Sequence, residues 1–73
     1  MKTDKLVDKM QRNPAGIKFT ALCKVCDEYF GEYRQKGSHR IYQTKHGIIN
    51  IQNHKGMAIE YQVQQVLRVI LGG

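Results

Sequence analysis

An α+β domain is the fold class this sequence predicts: a three-stranded antiparallel sheet with helices packed on one face, preceded by an extra N-terminal helix. Three observations predict it. Apolar residues recur at helical spacing in Leu6–Met10, Leu22–Phe30 and Ile59–Ile70. Between the last two, strand formers dominate Arg40–Thr44 and Ile48–Gln52. Glycine-bearing turn signals, Gly37-Ser38 and Lys45-His46-Gly47, separate the strand segments. The 73-residue chain is 41% hydrophobic and 25% charged, a globular composition that suits one domain over 1–73.

Each element follows from its residues. Thr3 is a capping type, and Asp4 sits where a helix dipole favours an anion. Leu6, Val7 and Met10 then share one helix face. Asn13-Pro14-Ala15-Gly16 ends that helix, because proline disfavours helical backbone in the residue before it. The second helix is expected after Thr20. Leu22, Cys23, Val25, Cys26, Tyr29 and Phe30 form its apolar face, and Lys24, Asp27 and Glu28 its polar one. Gly31 fits a left-handed C-terminal position. Glu32–Lys36 reads as a weak or edge strand. Arg40–Thr44 and Ile48–Gln52 read as a hairpin. In the last helix Ile59, Val63, Val66 and Ile70 form a stripe with Leu67 beside it, while Gln62, Gln64, Gln65 and Arg68 face away. Its start falls within Met57–Glu60, and Gly72-Gly73 is expected to fray.

Charge gives the first functional indication. Twelve Lys/Arg against six Asp/Glu give +6. No acidic residue lies between Glu32 and Glu60, while Arg34, Lys36, Arg40, Lys45 and Lys55 do. His39, His46 and His54 share that window. Clustered positive charge points to a polyanion such as RNA. No apolar run approaches the roughly 18 residues of a membrane helix, so no membrane is expected. Met1-Lys2-Thr3-Asp4-Lys5 leads into no apolar stretch, so no secretory signal is expected and the cytoplasm is the anticipated location.

Two motifs carry chemistry. Cys23-x-x-Cys26 has the spacing of half a zinc site, and the histidines could complete it in number. Both cysteines, however, fall on an apolar helix face, where core packing is the expected role. No metal or cofactor is expected. Gly37-Ser38-His39-Arg40 lies at the start of a strand inside the basic window. Ser38 can donate to a phosphate oxygen, His39 can carry a proton near neutral pH, and Arg40 can clamp a phosphate. A plain turn followed by a surface histidine is the competing explanation. Strand alternation leaves one question open. If Ile41 faces the core, Tyr42 faces out and could stack on a base. A partly buried Tyr42 is equally compatible. The same parity aims His39 at the core with Ile41, unless a bulge at Gly37-Ser38 releases it.

From Phe19 to Leu71 the chain resembles a HicA-type toxin, the small toxin of a bacterial or archaeal toxin–antitoxin pair. The resemblance is carried by Phe19-Thr20-Ala21-Leu22-Cys23-Lys24-Val25-Cys26, by Arg34-Gln35-Lys36-Gly37-Ser38-His39-Arg40-Ile41-Tyr42, by Ile49-Asn50-Ile51-Gln52 and by Tyr61-Gln62-Val63-Gln64-Gln65-Val66-Leu67. It implies a double-stranded-RNA-binding-like α-β-β-β-α core over 19–71, with 1–13 as a helical extension. It also implies ribosome-independent cleavage of mRNA and neutralisation by a cognate HicB-type antitoxin. The essential histidine of the family falls on His39, the expected catalytic residue. Many members carry a second histidine where this chain has Arg40. RNA contacts are expected from Arg34, Lys36, Ser38, Arg40, Lys45 and Lys55. A non-catalytic RNA-binding module using the same basic face is the alternative, and a structural zinc module a weaker third.

Overall fold

Alternation along one strand, His39–Thr44, decides how this molecule is layered. The computed structural model describes residues 3–72. Gly73, expected to fray, lies outside them. The elements are α1 (Asp4–Arg12), a 3-10 turn (Pro14–Gly16), α2 (Phe19–Phe30), β1 (Tyr33–Lys36), β2 (His39–Thr44), β3 (Gly47–Gln52) and α3 (Glu60–Ile70). The strands form one antiparallel sheet in the order β1-β2-β3. This is the expected α+β class and order of elements.

Tyr42 pairs with Ile49, and Arg40 with Ile51. Tyr42, Ile49 and Ile51 are buried under α2 and α3. Leu22, Val25 and Cys26 of α2 and Val63 and Val66 of α3 are fully buried in the same core. α1 adds Val7 and Met10 and packs against α2 and α3. Ile41 and His39 therefore point to the opposite, uncovered face. Of the two parities the sequence left open, the one with Tyr42 buried holds, and the one that would put Ile41 and His39 in the core is excluded. The physical reason is Tyr42, whose ring lies 5.9 Å from Phe30 and 5.6 Å from Tyr33. Its hydroxyl donates to Asp27 Oδ1 at 2.6 Å. A ring with a satisfied hydroxyl fills the core site that the branched Ile41 would otherwise take.

Three corrections share one cause, tertiary contacts overriding local preference. Thr3 precedes α1, but its hydroxyl makes no cap; it donates to Glu28 Oε2 of α2 at 2.7 Å. α2 begins at Phe19, not after Thr20, because the Phe19 N–H is drawn to the Gly56 carbonyl at 3.0 Å and its ring is buried. Gln62 does not face away from the core. It is 4% exposed, and its Oε1 accepts the Gln52 N–H at 2.8 Å, closing the end of β3 onto α3. The α3 stripe is otherwise as expected, with Val63, Val66 and Leu67 buried and Ile59 and Ile70 half-buried.

Candidate nucleic-acid interface

The register arranges the uncovered face in rows. Lys36 pairs with His39, which pairs with Gln52. Arg34 pairs with Ile41, which pairs with Asn50. Gln43 pairs with Ile48, which is 63% exposed. One end of the face is thus basic and carries the imidazole. Beyond Arg34 the face continues into a shallow hollow of mixed polarity lined by Glu32, Tyr33, Arg34, Ile41, Gln43 and Ile48.

The Gly37-Ser38 turn sets the position of His39. Gly37 has φ +62° and Ser38 does not share a positive φ, the pattern of a type II′ turn. Such a turn matches strand twist, so Lys36 and His39 face each other without a bulge. The Ser38 carbonyl accepts the Asn53 N–H at 3.0 Å, which fastens the turn to the segment after β3. His39 is half-buried, and its Nδ1 lies 3.0 Å from Asn50 Oδ1.

Lys55 reaches the same end of the molecule by another route. Residues 54–57 form a tight turn in which His54 and Met57 exchange both backbone hydrogen bonds at 2.9 Å. Lys55 and Gly56 have φ +53° and +87°, as a type I′ turn requires. Asn53 Oδ1 accepts the Gly56 N–H at 2.7 Å. Met57 also bridges to Lys18, so Lys18 joins this basic end, a residue sequence reasoning passed over.

Two of the expected RNA contacts lie elsewhere. Arg40 is on the helix-covered face, with its guanidinium 4.0 Å from the Tyr33 ring centre and 3.6 Å from Asp27 Oδ2. Its charge is matched by Asp27, and its orientation is fixed by packing on Tyr33. Lys45 sits in the β2–β3 turn, roughly 20 Å from His39 at ~3.3 Å per strand residue. His46 is there too, beside a groove formed by Tyr29, Phe30, Val69 and Ile70. The structure therefore gathers Arg34, Lys36, Ser38, His39 and Lys55, and leaves Arg40 and Lys45 apart.

Tyr42 cannot stack on a base, since it is fully buried. Burial and its bond to Asp27 push its hydroxyl well above the ordinary phenol range. Cys23 and Cys26 are free thiols in the core. Burial raises both above the ordinary thiol value, most strongly Cys26. Among the described residues no three His, Cys, Asp or Glu side chains are placed to share a metal ion. No helix among them is long and apolar enough to cross a membrane. No protein-family model matches the chain, and no curated protein or solved structure matches it.

Asn50 is a second residue of the site, after Lys18, that sequence reasoning missed. Its position follows from turn length. A two-residue Lys45-His46 loop pairs Thr44 with Gly47, and that register carries on to Ile41 with Asn50. Counting Gly47 into the loop slips the register by one and turns Asn50 to the core face.

Proposed function

We propose that this chain is an endoribonuclease of the HicA type, the toxin of a toxin–antitoxin pair, and that His39 is its catalytic base. The observation that carries this is the juxtaposition of His39, Lys36 and Arg34 on a sheet face that none of the described helices covers. The α2-β1-β2-β3-α3 order, with both helices on the other face, supports a double-stranded-RNA-binding-like assignment. Phosphodiester cleavage by this face needs no metal. The imidazole takes the proton of a ribose 2′-hydroxyl as that oxygen bonds to phosphorus. The bond from phosphorus to the 5′-oxygen breaks, and the leaving oxygen takes a proton from water. The products are a 2′,3′-cyclic phosphate and a 5′-hydroxyl. Lys36 and Arg34 stabilise the charge that grows on the phosphorane oxygens. The substrate is mRNA in the cytoplasm, and the inhibitor is a cognate HicB-type antitoxin that pairs acidic groups with the basic rim.

The test is cleavage of RNA by purified protein, with end-group analysis. Cyclic phosphate ends are expected, with no cleavage at a single 2′-deoxy position and none by His39→Ala, whose RNA binding persists. Undiminished cleavage by His39→Ala overturns the assignment. Binding without cleavage by the unaltered protein favours a non-catalytic RNA-binding module.

A further inference from the structure

We propose that Asn50 is a positioning residue for His39, fixing the imidazole in the tautomer whose Nε2 is free to accept a proton. The inference deepens the endoribonuclease assignment and rests on it. Asn50 Oδ1 lies 3.0 Å from His39 Nδ1. The carboxamide oxygen, the atom turned to the ring, has no proton to give, and on this proposal the shared proton is therefore on Nδ1. A neutral imidazole has only one N–H, so Nε2 carries the lone pair. In water the opposite tautomer predominates for neutral histidine, which would leave Nε2 protonated and useless as a base. Asn50 corrects this.

The backbone beneath the pair is clamped from three sides. The β2–β3 ladder sets Asn50 diagonally across from His39. The Gln52 N–H, two residues beyond Asn50, is held by Gln62 Oε1 of α3 at 2.8 Å. The next N–H, that of Asn53, is held by the Ser38 carbonyl, immediately before His39. Both Cβ atoms are therefore fixed, and the side-chain bond forms with few degrees of freedom left to lose.

The choice of an amide over a carboxylate also has a reason. Aspartate would accept the same proton, but it would place a negative charge on the face that receives the phosphate. Asparagine orients the ring and leaves the field of Lys36 and Arg34 undiminished. Nε2 then takes the 2′-hydroxyl proton while O2′ bonds to phosphorus and the 5′-oxygen departs with a proton from water.

The experiment combines nitrogen-15 NMR of the imidazole rings, recorded at mildly alkaline pH, with cleavage kinetics on RNA. In the unaltered protein the His39 proton is expected on Nδ1. Asn50→Ala should move it to Nε2 and lower kcat about 10- to 100-fold with KM nearly unchanged, within the roughly 10²–10⁴-fold that a general base supplies. Asn50→Asp should keep the Nδ1 proton and restore much of kcat, but raise KM through repulsion of phosphate. Asn50 is exposed on the sheet surface, so neither change should disturb folding. An Nε2 proton in the unaltered protein, or full kcat in Asn50→Ala, overturns the proposal. If the Nδ1 proton is present and moves in Asn50→Ala while no variant cleaves RNA, the positioning of His39 stands and the endoribonuclease assignment falls.

Discussion

His39 and Arg40 are neighbours in the chain and opposites in the fold. His39 points to the uncovered face, where its one side-chain partner on β3 is the neutral Asn50. Arg40 points under α2, where Asp27, Tyr33 and Tyr42 surround it. The contrast repeats with Ile41 and Tyr42. The covered face accepts a polar group only when its partners are built in, as Asp27 is for the Tyr42 hydroxyl. The uncovered face leaves its groups half-solvated and able to exchange water for a ligand. A charge on one side is held by built-in partners, and the same charge on the other side is left facing solvent.

The sharpest way to break this comparison is to truncate an isoleucine or valine on each side. Val66 is fully buried in α3, while Ile48 is 63% exposed on the open face. Val66→Ala should cost about 1–4 kcal/mol through lost burial and a residual cavity. In so small a domain that can abolish folding. Ile48→Ala should change stability by less than about 0.5 kcal/mol. Urea denaturation of both variants measures the difference, and equal losses would mean the two faces are misassigned.

A second test concerns alkaline pH. Cys26 and Tyr42 both have raised pKa values in the folded state, chiefly from burial. Unfolding returns them to ordinary values of 9.0 and 10.0. Above those values the unfolded chain loses protons that the folded chain keeps. Stability is thus fully present below about pH 9 and falls as pH rises further. Thermal melts between pH 7 and 11 should show this fall, with a shallower one in Cys26→Ala after allowance for its lower starting stability. A flat profile would place these groups nearer solvent.

Much of the fold was legible because helical period, strand formers and turn residues are local signals. The α3 stripe needed only Ile59, Val63, Val66 and Ile70. The layer each strand face belongs to was not legible, because Ile41 and Ile48 look like core residues and are not. Tyr42 is chosen for the core by Asp27, fifteen residues away in the chain, and no local period reports that. The same limit hid Gln62, whose polar side chain is buried to hold the end of β3. The candidate site was half legible. Composition marked the basic window and the resemblance marked His39, but separating Arg40 and Lys45 from the others required the register.

Substitutions of basic residues sharpen the comparison between the two faces. Arg34→Gln and Lys36→Gln should leave stability nearly unchanged and each lower the salt dependence of RNA binding by about one in log–log slope. Arg40→Gln should do the reverse, destabilising the fold by about 1–3 kcal/mol through loss of its Asp27 and Tyr33 partners, with little effect on the slope. Fluorescence anisotropy titrations across salt concentrations, beside denaturation curves, separate the two effects. A large slope change for Arg40→Gln would restore it to the interface.

The smallest expected effect is at Lys55. Its φ of +53° is the one positive value on a non-glycine residue among those described. Left-handed backbone costs a Cβ-bearing residue roughly 1–2 kcal/mol, less in a turn whose hydrogen bonds are all made. Asparagine or glycine would suit this first central position better. A lysine there keeps a cation at the end of the molecule that also holds Lys36 and His39, at some cost in stability. Lys55→Gly should therefore raise the unfolding free energy by about 0.5–1 kcal/mol and weaken RNA binding at the same time. Lys55→Asn should gain stability in the same direction and lose the same affinity, since both remove the charge. If either variant is more stable and binds RNA as well as before, Lys55 lies outside the interface, and its strained backbone has no functional reason.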